Sequence, residues 1–234
     1  MDNLIFLDKQ FTLWLNSFHS TAADFFFYLT TSTVLWIPLF LALAWLIMKQ
    51  QGTRGIITII FIGLIILVAD QLSSHVIKPL IERPRPSHDD TLQYLIHLVN
   101  GRRGGHFGFV SSHAANTFAI ASFLILMVRN RFLSWSIFMW AMLNCYSRIY
   151  CGVHYFGDIV CGALLGIIIG AIAYQIYLHL VLHLFVIFHH NKRTLKSGLA
   201  EMFGKSEPRI VGWTFWLTII LTLIITLMFM RYHG

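Results

Sequence analysis

The sequence predicts an all-α membrane protein, a polytopic bundle of about six transmembrane helices preceded by an N-terminal interfacial amphipathic helix. Three observations carry that prediction. Of 234 residues, 57% are hydrophobic and only 12% carry full charge, against roughly 25% charged in a soluble domain. Mean hydropathy is +0.69, so there is too little polar surface to coat a water-soluble globule. The apolar residues also gather in long runs, comparable to the ~20 residues that a helix needs to cross a bilayer. Nucleic-acid-binding, collagen-like, disordered and secreted disulfide-rich classes are excluded on the same grounds.

At the N-terminus Leu4, Leu7, Phe11, Trp14 or Leu15, and Phe18 recur at helical spacing, with Asp8, Lys9, Gln10, Thr12 and Asn16 on the other side. A helix lying in the membrane interface has this pattern. The acids Asp2 and Asp8 stand where a removable leader would be basic, so no signal peptide is expected. Apolar runs follow at residues 25–48, 55–77, 114–128, 132–150, 159–188 and 211–230. Six runs use up the apolar inventory, so a single integral membrane domain over residues 1–234 is expected. Gly162, Gly166 and Gly170 share one face of the fifth run, where they let a neighbouring helix come close.

The runs are joined unevenly. More than thirty residues, 78–113, separate the second from the third, and within them Leu92, Leu95, Ile96 and Val99 keep helical spacing before Asn100, Gly101, Arg102, Arg103, Gly104 and Gly105 break it. A short interfacial helix followed by a basic turn is expected there. Between the fourth and fifth runs lies only a short polar stretch, residues 151–158.

The net charge of +7 reads first as a topology signal. Lys49, Arg54, Arg129, Arg131, Lys192, Arg193, Lys196, Lys205 and Arg209, nine of the seventeen basic residues, fall in three loops that share one face. By the positive-inside rule that face is cytoplasmic. Both termini and the two polar stretches then face outward, which in a bacterium means the periplasm, and the protein is expected in the cytoplasmic membrane. Cys145, Cys151 and Cys161 have no metal-ligand spacing and read as small packing residues. His179 and His183 have i, i+4 spacing, but no carboxylate or cysteine joins them, so they read as interfacial histidines.

Three polar clusters sit at span ends that face the same side: residues 78–86, 111–113 and 147–158. Ionisable residues at membrane depth are costly and mark function by default. Lys78, Arg85 and Arg148 can neutralise the oxygens of a phosphoryl group. Ser111 and Ser112, just before a helix, can offer hydroxyls and N–H groups to the same anion. Asp158 follows His154 by four residues, so on a helix its carboxylate can orient the imidazole. One histidine can then attack phosphorus while the second, His113, protonates the leaving oxygen. Protein cations can supply the charge stabilisation of phosphoryl transfer without a metal.

These clusters resemble the three motifs of the type 2 phosphatidic acid phosphatase family. Lys78, six residues, then Arg85-Pro86 is similar to the first motif, and Ser111-Ser112-His113 to the second. Ser147-Arg148, five residues, His154, three residues, then Asp158 is similar to the third. Val110 and Ser112 stand where the family's second motif has proline and glycine, and Arg83-Pro84 duplicates the Arg-Pro pair. The resemblance implies metal-independent phosphatase chemistry with no cofactor. In it His154 forms a phosphohistidine, Asp158 orients it, His113 acts as acid then base, and Lys78, Arg85 and Arg148 bind phosphate.

The expected partners are a lipid phosphate in the bilayer and the membrane lipids, with no nucleic acid. Undecaprenyl diphosphate ranks first among substrates, by family analogy alone. Lipid A, phosphatidic acid and phosphatidylglycerol phosphate are alternatives, and the candidate headgroup-binding residues Arg102 and Arg103 suit the larger lipid A. A lipid phosphotransferase and a non-enzymatic lipid-phosphate binder or transporter are the rival classes.

Overall fold

The computed structural model describes residues 2–128, 130–189 and 207–233, and among them every regular element is helical. In chain order these are α1 (Asp2–Asn16), α2 (Thr21–Thr30), α3 (Ile37–Gln51), α4 (Gly55–Gln71), α5 (Lys78–Ile81), α6 (Ser112–Val128), α7 (Arg131–Tyr150), α8 (Phe156–His189) and α9 (Glu207–His233). The expected all-α bundle is what forms.

The first apolar run is not one helix. Ser20 caps α2, its hydroxyl accepting from the Ala23 N–H at 3.2 Å, and the helix stops at a cluster of hydroxyl residues. There the Thr30 and Thr31 side chains donate to the carbonyls of Phe27 and Tyr28, competing with the helical ladder. The freed Thr30 carbonyl accepts instead from the Trp36 indole at 2.9 Å. A 3₁₀ turn, Thr33–Trp36, then leads into α3, with a proline in its first turn.

By length and apolarity three stretches are able to cross a membrane: Thr33–Ile81, Phe156–Leu180 and Glu207–Tyr232. The first folds back at a 3₁₀ turn, Gly52–Arg54, so that α3 and α4 lie side by side. Ser112–Val128 is apolar but shorter. Ile60, Leu64 and Leu67 on α4, Leu164, Ile168 and Ile172 on α8, and Leu217 and Leu221 on α9 are exposed, as side chains facing lipid are.

Helix α6 forms the centre, with Ala114, Ala115, Phe118, Ala119 and Phe123 buried. Its tightest neighbour is α8. A Cβ added at Gly162, Gly166 or Gly170 would run into the Ser111 carbonyl, the Ala115 carbonyl, or the Ala119 carbonyl and Ser122 hydroxyl of α6. The glycine face therefore does what its spacing suggested.

Helix α1 is amphipathic as expected, with Leu4, Phe6, Leu7 and Trp14 exposed and Phe11 packed edge-on against the Phe156 ring. Its polar stripe is not solvated, however: Thr12 and Asn16 are 0% and 2% exposed. The Asn16 amide donates to the carbonyls of His97, Ile149 and Tyr150, and its oxygen accepts from the His97 N–H at 2.8 Å.

The interfacial helix expected around residues 92–99 is replaced by turns. Leu92, Ile96 and Val99 are buried as a helical face would be, but Tyr94 and Leu95 stand exposed. Asp89 takes the Thr91 N–H in an Asx-type turn, and Asn100 adopts a left-handed conformation at φ 53°. Local side-chain bonding and that reversal leave no room for a regular helix.

At the opposite end Lys49 pairs with Glu207 at 2.9 Å and lies over the Trp45 ring. The predicted basic residues Arg129, Lys192, Arg193, Lys196 and Lys205 lie outside the described residues. The cysteines are free thiols, and Cys145 is buried.

Candidate active site

Helix α4 runs on through a π-helical segment, Leu72–Ile77, into α5, which sets Lys78 at the end of one continuous helical stretch. Glu82, left-handed at φ 52°, ends it and bonds back to the Lys78 carbonyl. The chain then forms a short strap. Arg83, Pro84 and Arg85 pair antiparallel with residues 106–108, through Arg85 N–H to the His106 carbonyl at 3.0 Å and Gly108 N–H to the Arg83 carbonyl at 2.8 Å. Prolines suit such an extended segment because they donate nothing to it. The strap lies over the connection between α7 and α8, where His154 sits.

His154 and Asp158 are buried, with 1% and 0% of their side chains exposed. The His154 Nδ1 lies 3.3 Å from Asp158 Oδ2 and its Nε2 lies 3.1 Å from Arg85 Nη1. Arginine only donates and a carboxylate only accepts. The tautomer that satisfies both carries its proton on Nδ1 and leaves the Nε2 lone pair facing the guanidinium. Burial, followed by the Arg85 and Arg148 charges, holds His154 well below the usual histidine range, so the ring is neutral at physiological pH. A neutral imidazole with an oriented Nε2 lone pair is a nucleophile.

Arg85 is fixed by donating from Nε to the Phe107 carbonyl and from Nη1 to the Val153 carbonyl. Burial and the neighbouring Arg148 lower it to about 10, against the pull of Asp158, and it remains charged. Lys78, Arg85 and Arg148 act electrostatically on one another and on both His113 and His154. Arg148 Nε is buried with no hydrogen-bond partner among the described residues. Three cations held together, one with an unused donor, form an environment completed by an anion.

The second motif meets this cluster at the start of α6. His113, in its first turn, is exposed. Ser112 accepts from Lys78 Nζ at 2.7 Å and shares a 2.8 Å bond with Ser74. Ser111 differs from the sequence expectation: its N–H donates to the Asp158 carbonyl and its hydroxyl accepts from the Ala114 N–H. The N–H is thus spent on joining α6 to α8, whereas the hydroxyl, which only accepts here, keeps its own O–H to donate. Arg102 and Arg103 lie in the neighbouring loop, exposed to solvent. Arg102 rests over the Tyr28 ring and the Arg103 carbonyl accepts from Ser87.

Sequence reasoning missed the groups that support the site. Arg83, the unassigned member of the Arg-Pro duplicate, donates from Nη1 to Asp158 at 3.0 Å and from Nη2 to Asp8 at 2.7 Å, and its guanidinium lies 3.9 Å over Tyr155. Tyr155 in turn donates to Asp89, which pairs with Lys9 at 2.8 Å. The available signal was that Asp8, Thr12 and Asn16 fall at i, i+4 and i+8, a polar stripe that itself needs a partner.

The PAP2 superfamily profile matches residues 59–182, which span all three clusters. The chain belongs to the PAP2 superfamily. It is 41% identical over 162 residues to the lipid A 4'-phosphatase of Bacteroides thetaiotaomicron, covering 68% of this chain and 72% of that protein. It is 26% identical over 161 residues to the undecaprenyl-diphosphatase BcrC of Bacillus subtilis, covering 68% and 77%. The crystal structure of Aquifex aeolicus LpxE superposes with a TM-score of 0.55 at 26% identity, over 71% of this chain and 93% of that one. This PAP2 protein is thus a multi-pass membrane enzyme, a lipid phosphatase of the phosphoric monoester hydrolase class.

Proposed function

We propose that this PAP2 enzyme removes a phosphate from lipid A or a closely similar phosphorylated glycolipid at the outer face of the cytoplasmic membrane, acting as one integral membrane domain. The observation that carries the chemistry is the placement of His154, with Nε2 3.1 Å from Arg85 and Nδ1 3.3 Å from Asp158. Support for the lipid comes from the lipid A 4'-phosphatase relative at 41% identity. The carrier-lipid substrate that the sequence ranked first is less supported, resting on a relative at 26%. Exposed Arg102, Arg103 and His106 beside the site suit a large anionic headgroup. The outward orientation rests on the distribution of basic residues.

In the first step the substrate phosphate takes up Lys78, Arg85 and Arg148, and Ser112 keeps Lys78 aimed. His154 Nε2 attacks phosphorus, a P–N bond forms and the ester P–O bond breaks, while His113 gives its proton to the departing sugar oxygen. Asp158 stabilises the imidazolium through Nδ1–H. In the second step His113 takes a proton from water, whose oxygen attacks phosphorus and releases His154 and inorganic phosphate. His113 ends the cycle protonated, as it began, and the alcohol's new proton is made good by the water, so the protons balance.

The test is phosphate release by detergent-purified protein, in excess EDTA, from lipid A, a prenyl diphosphate, phosphatidic acid and phosphatidylglycerol phosphate, with His154→Ala as control. Fastest release from lipid A, lost in the variant, is expected. Faster release from the prenyl diphosphate would return the carrier-lipid substrate to first place. No release from any of them would favour a phosphotransferase or binder.

A further inference from the structure

Helix α1 meets the catalytic loop through a set of polar contacts at the start of α8. The first N–H groups of a helix lack intrahelical partners and are usually capped by the preceding side chain. Here two of them are capped from another helix. Phe156 N–H donates to the Thr12 hydroxyl at 3.0 Å, and Gly157 N–H donates to Asp8 Oδ1 at 2.8 Å. The other Asp8 oxygen accepts from Arg83 Nη2 at 2.7 Å, and the same guanidinium donates from Nη1 to Asp158 Oδ1 at 3.0 Å. Asp158 spends its remaining oxygen on His154 Nδ1 and the Tyr155 N–H. An unbroken chain of bonds therefore runs from α1 through Arg83 and Asp158 to the imidazole. A Cβ at Gly157 would collide with the Asp8 carboxylate, so glycine is what allows the approach.

We infer that Asp8 and Arg83 are positioning residues, and that α1 sets the orientation of the His154–Asp158 pair. This rests on His154 being the nucleophile. Without Arg83, the Asp158 carboxylate would have one buried charge fewer to face and one bond fewer to fix its plane. Without Asp8, the guanidinium would lose the second anchor that keeps it between the two carboxylates. Lysine does not replace this arginine, because one ammonium cannot span both acids with the same planar fork. Thr12 contributes only the cap, so its removal should cost less.

Neither residue belongs to the phosphate cage of Lys78, Arg85 and Arg148, so binding and turnover should separate. Asp8→Asn retains an oxygen for the Gly157 N–H but gives up the ion pair. It and Arg83→Lys should lower kcat between about 10- and 100-fold, the scale of an ~1 Å misplacement of a reacting group, with KM within about twofold. Asp8→Glu should recover most of the lost kcat, and Thr12→Val should lose less than fivefold, by comparison with a cap of about 1 kcal/mol. Wild type and His154→Ala are measured beside them, and amide exchange across residues 154–158 is followed in every variant. Wild-type kcat in Asp8→Asn and Arg83→Lys would overturn the positioning role while leaving the phosphatase function intact, as would a KM rise that accounts for the whole loss. If the wild type itself releases no phosphate, exchange decides. Faster exchange in Asp8→Asn would uphold the grip of α1 on the loop and fault only the reaction, and unchanged exchange would overturn the grip as well.

Discussion

Lys78 donates from Nζ to the Ser112 hydroxyl at 2.7 Å, tying the start of α5 to the first turn of α6. The family's second motif has glycine at position 112, so the hydroxyl that aims Lys78 belongs to this chain's own variation. Ser74, on the π-helical turn, bonds the same oxygen. The lysine is held without a carboxylate in direct contact and keeps its charge available to a phosphate.

Removing that hydroxyl should loosen Lys78 without unmaking the cage. Ser112→Ala is expected to raise KM about fivefold, the equivalent of one hydrogen bond of ~1 kcal/mol, with kcat nearly unchanged. Steady-state kinetics on a soluble phosphorylated headgroup checks it. A drop in kcat at constant KM would show that Ser112 acts on the transition state instead.

The two histidines should be separable by leaving group. With a sugar alkoxide, His113→Ala should lose about 10²- to 10⁴-fold, the usual range for a general acid. With p-nitrophenyl phosphate, whose leaving group needs no proton, the first step should be much less affected and phosphohistidine should accumulate. His154→Ala should be inactive on both. Acid-quench trapping of radiolabelled phosphate distinguishes the cases.

Acidification should destabilise the protein in two stages. Native His154 lies well below its ordinary 6.5 because of burial and then Arg85. Below pH 6.5 the unfolded chain takes up a proton that the native ring refuses, so stability falls as pH falls. Asp89 acts lower down. Burial opposes its ionisation, but Lys9, Thr91 and Tyr155 overcome that and hold it far below its ordinary 3.8. The stability it contributes is therefore present above pH 3.8 and lost beneath it. Thermal unfolding in detergent from pH 8 to pH 3 should show both stages, and His154→Gln should diminish only the upper one.

The helix pair at the centre has no spare volume. Gly166→Ala would drive a methyl group into the Ala115 carbonyl and the Phe118 side chain, a backbone collision that a rotamer change cannot relieve. A loss of about 1–3 kcal/mol is expected from such overpacking, visible as a lowered unfolding temperature. The same change at Gly63, which has open space around it, should be neutral.

Much of the reacting centre was legible in the sequence because its spacings are short and helical. His154 and Asp158 are four residues apart, and the six-residue gap from Lys78 singled out Arg85 over Arg83. The supports were not legible, since Asp8 reaches Arg83 across 75 residues and Asp89 reaches Tyr155 across 66. The broken first run and the turns at residues 92–99 were misjudged for a common reason. Apolar periodicity reports which side chains are buried, whereas the hydroxyls of Thr30 and Thr31 and the carboxylate of Asp89 decide whether the backbone stays helical. Ser111 departs from the expectation in its backbone alone, its N–H being taken by the joint between α6 and α8 while its hydroxyl keeps a proton to donate.

The glycine seam between those two helices has a kinetic consequence. His113, the proposed general acid, rides on one of them and Asp158 on the other, and the Ser111–Asp158 bond closes the seam at the end nearest the site. His113 and Asp158 are thus held on one tightly packed helix pair, and their spacing should not change as a substrate arrives. The lipid that we propose as substrate must then diffuse in the plane of the bilayer until its headgroup comes into register with that fixed pair, so turnover should fall as bilayer viscosity rises.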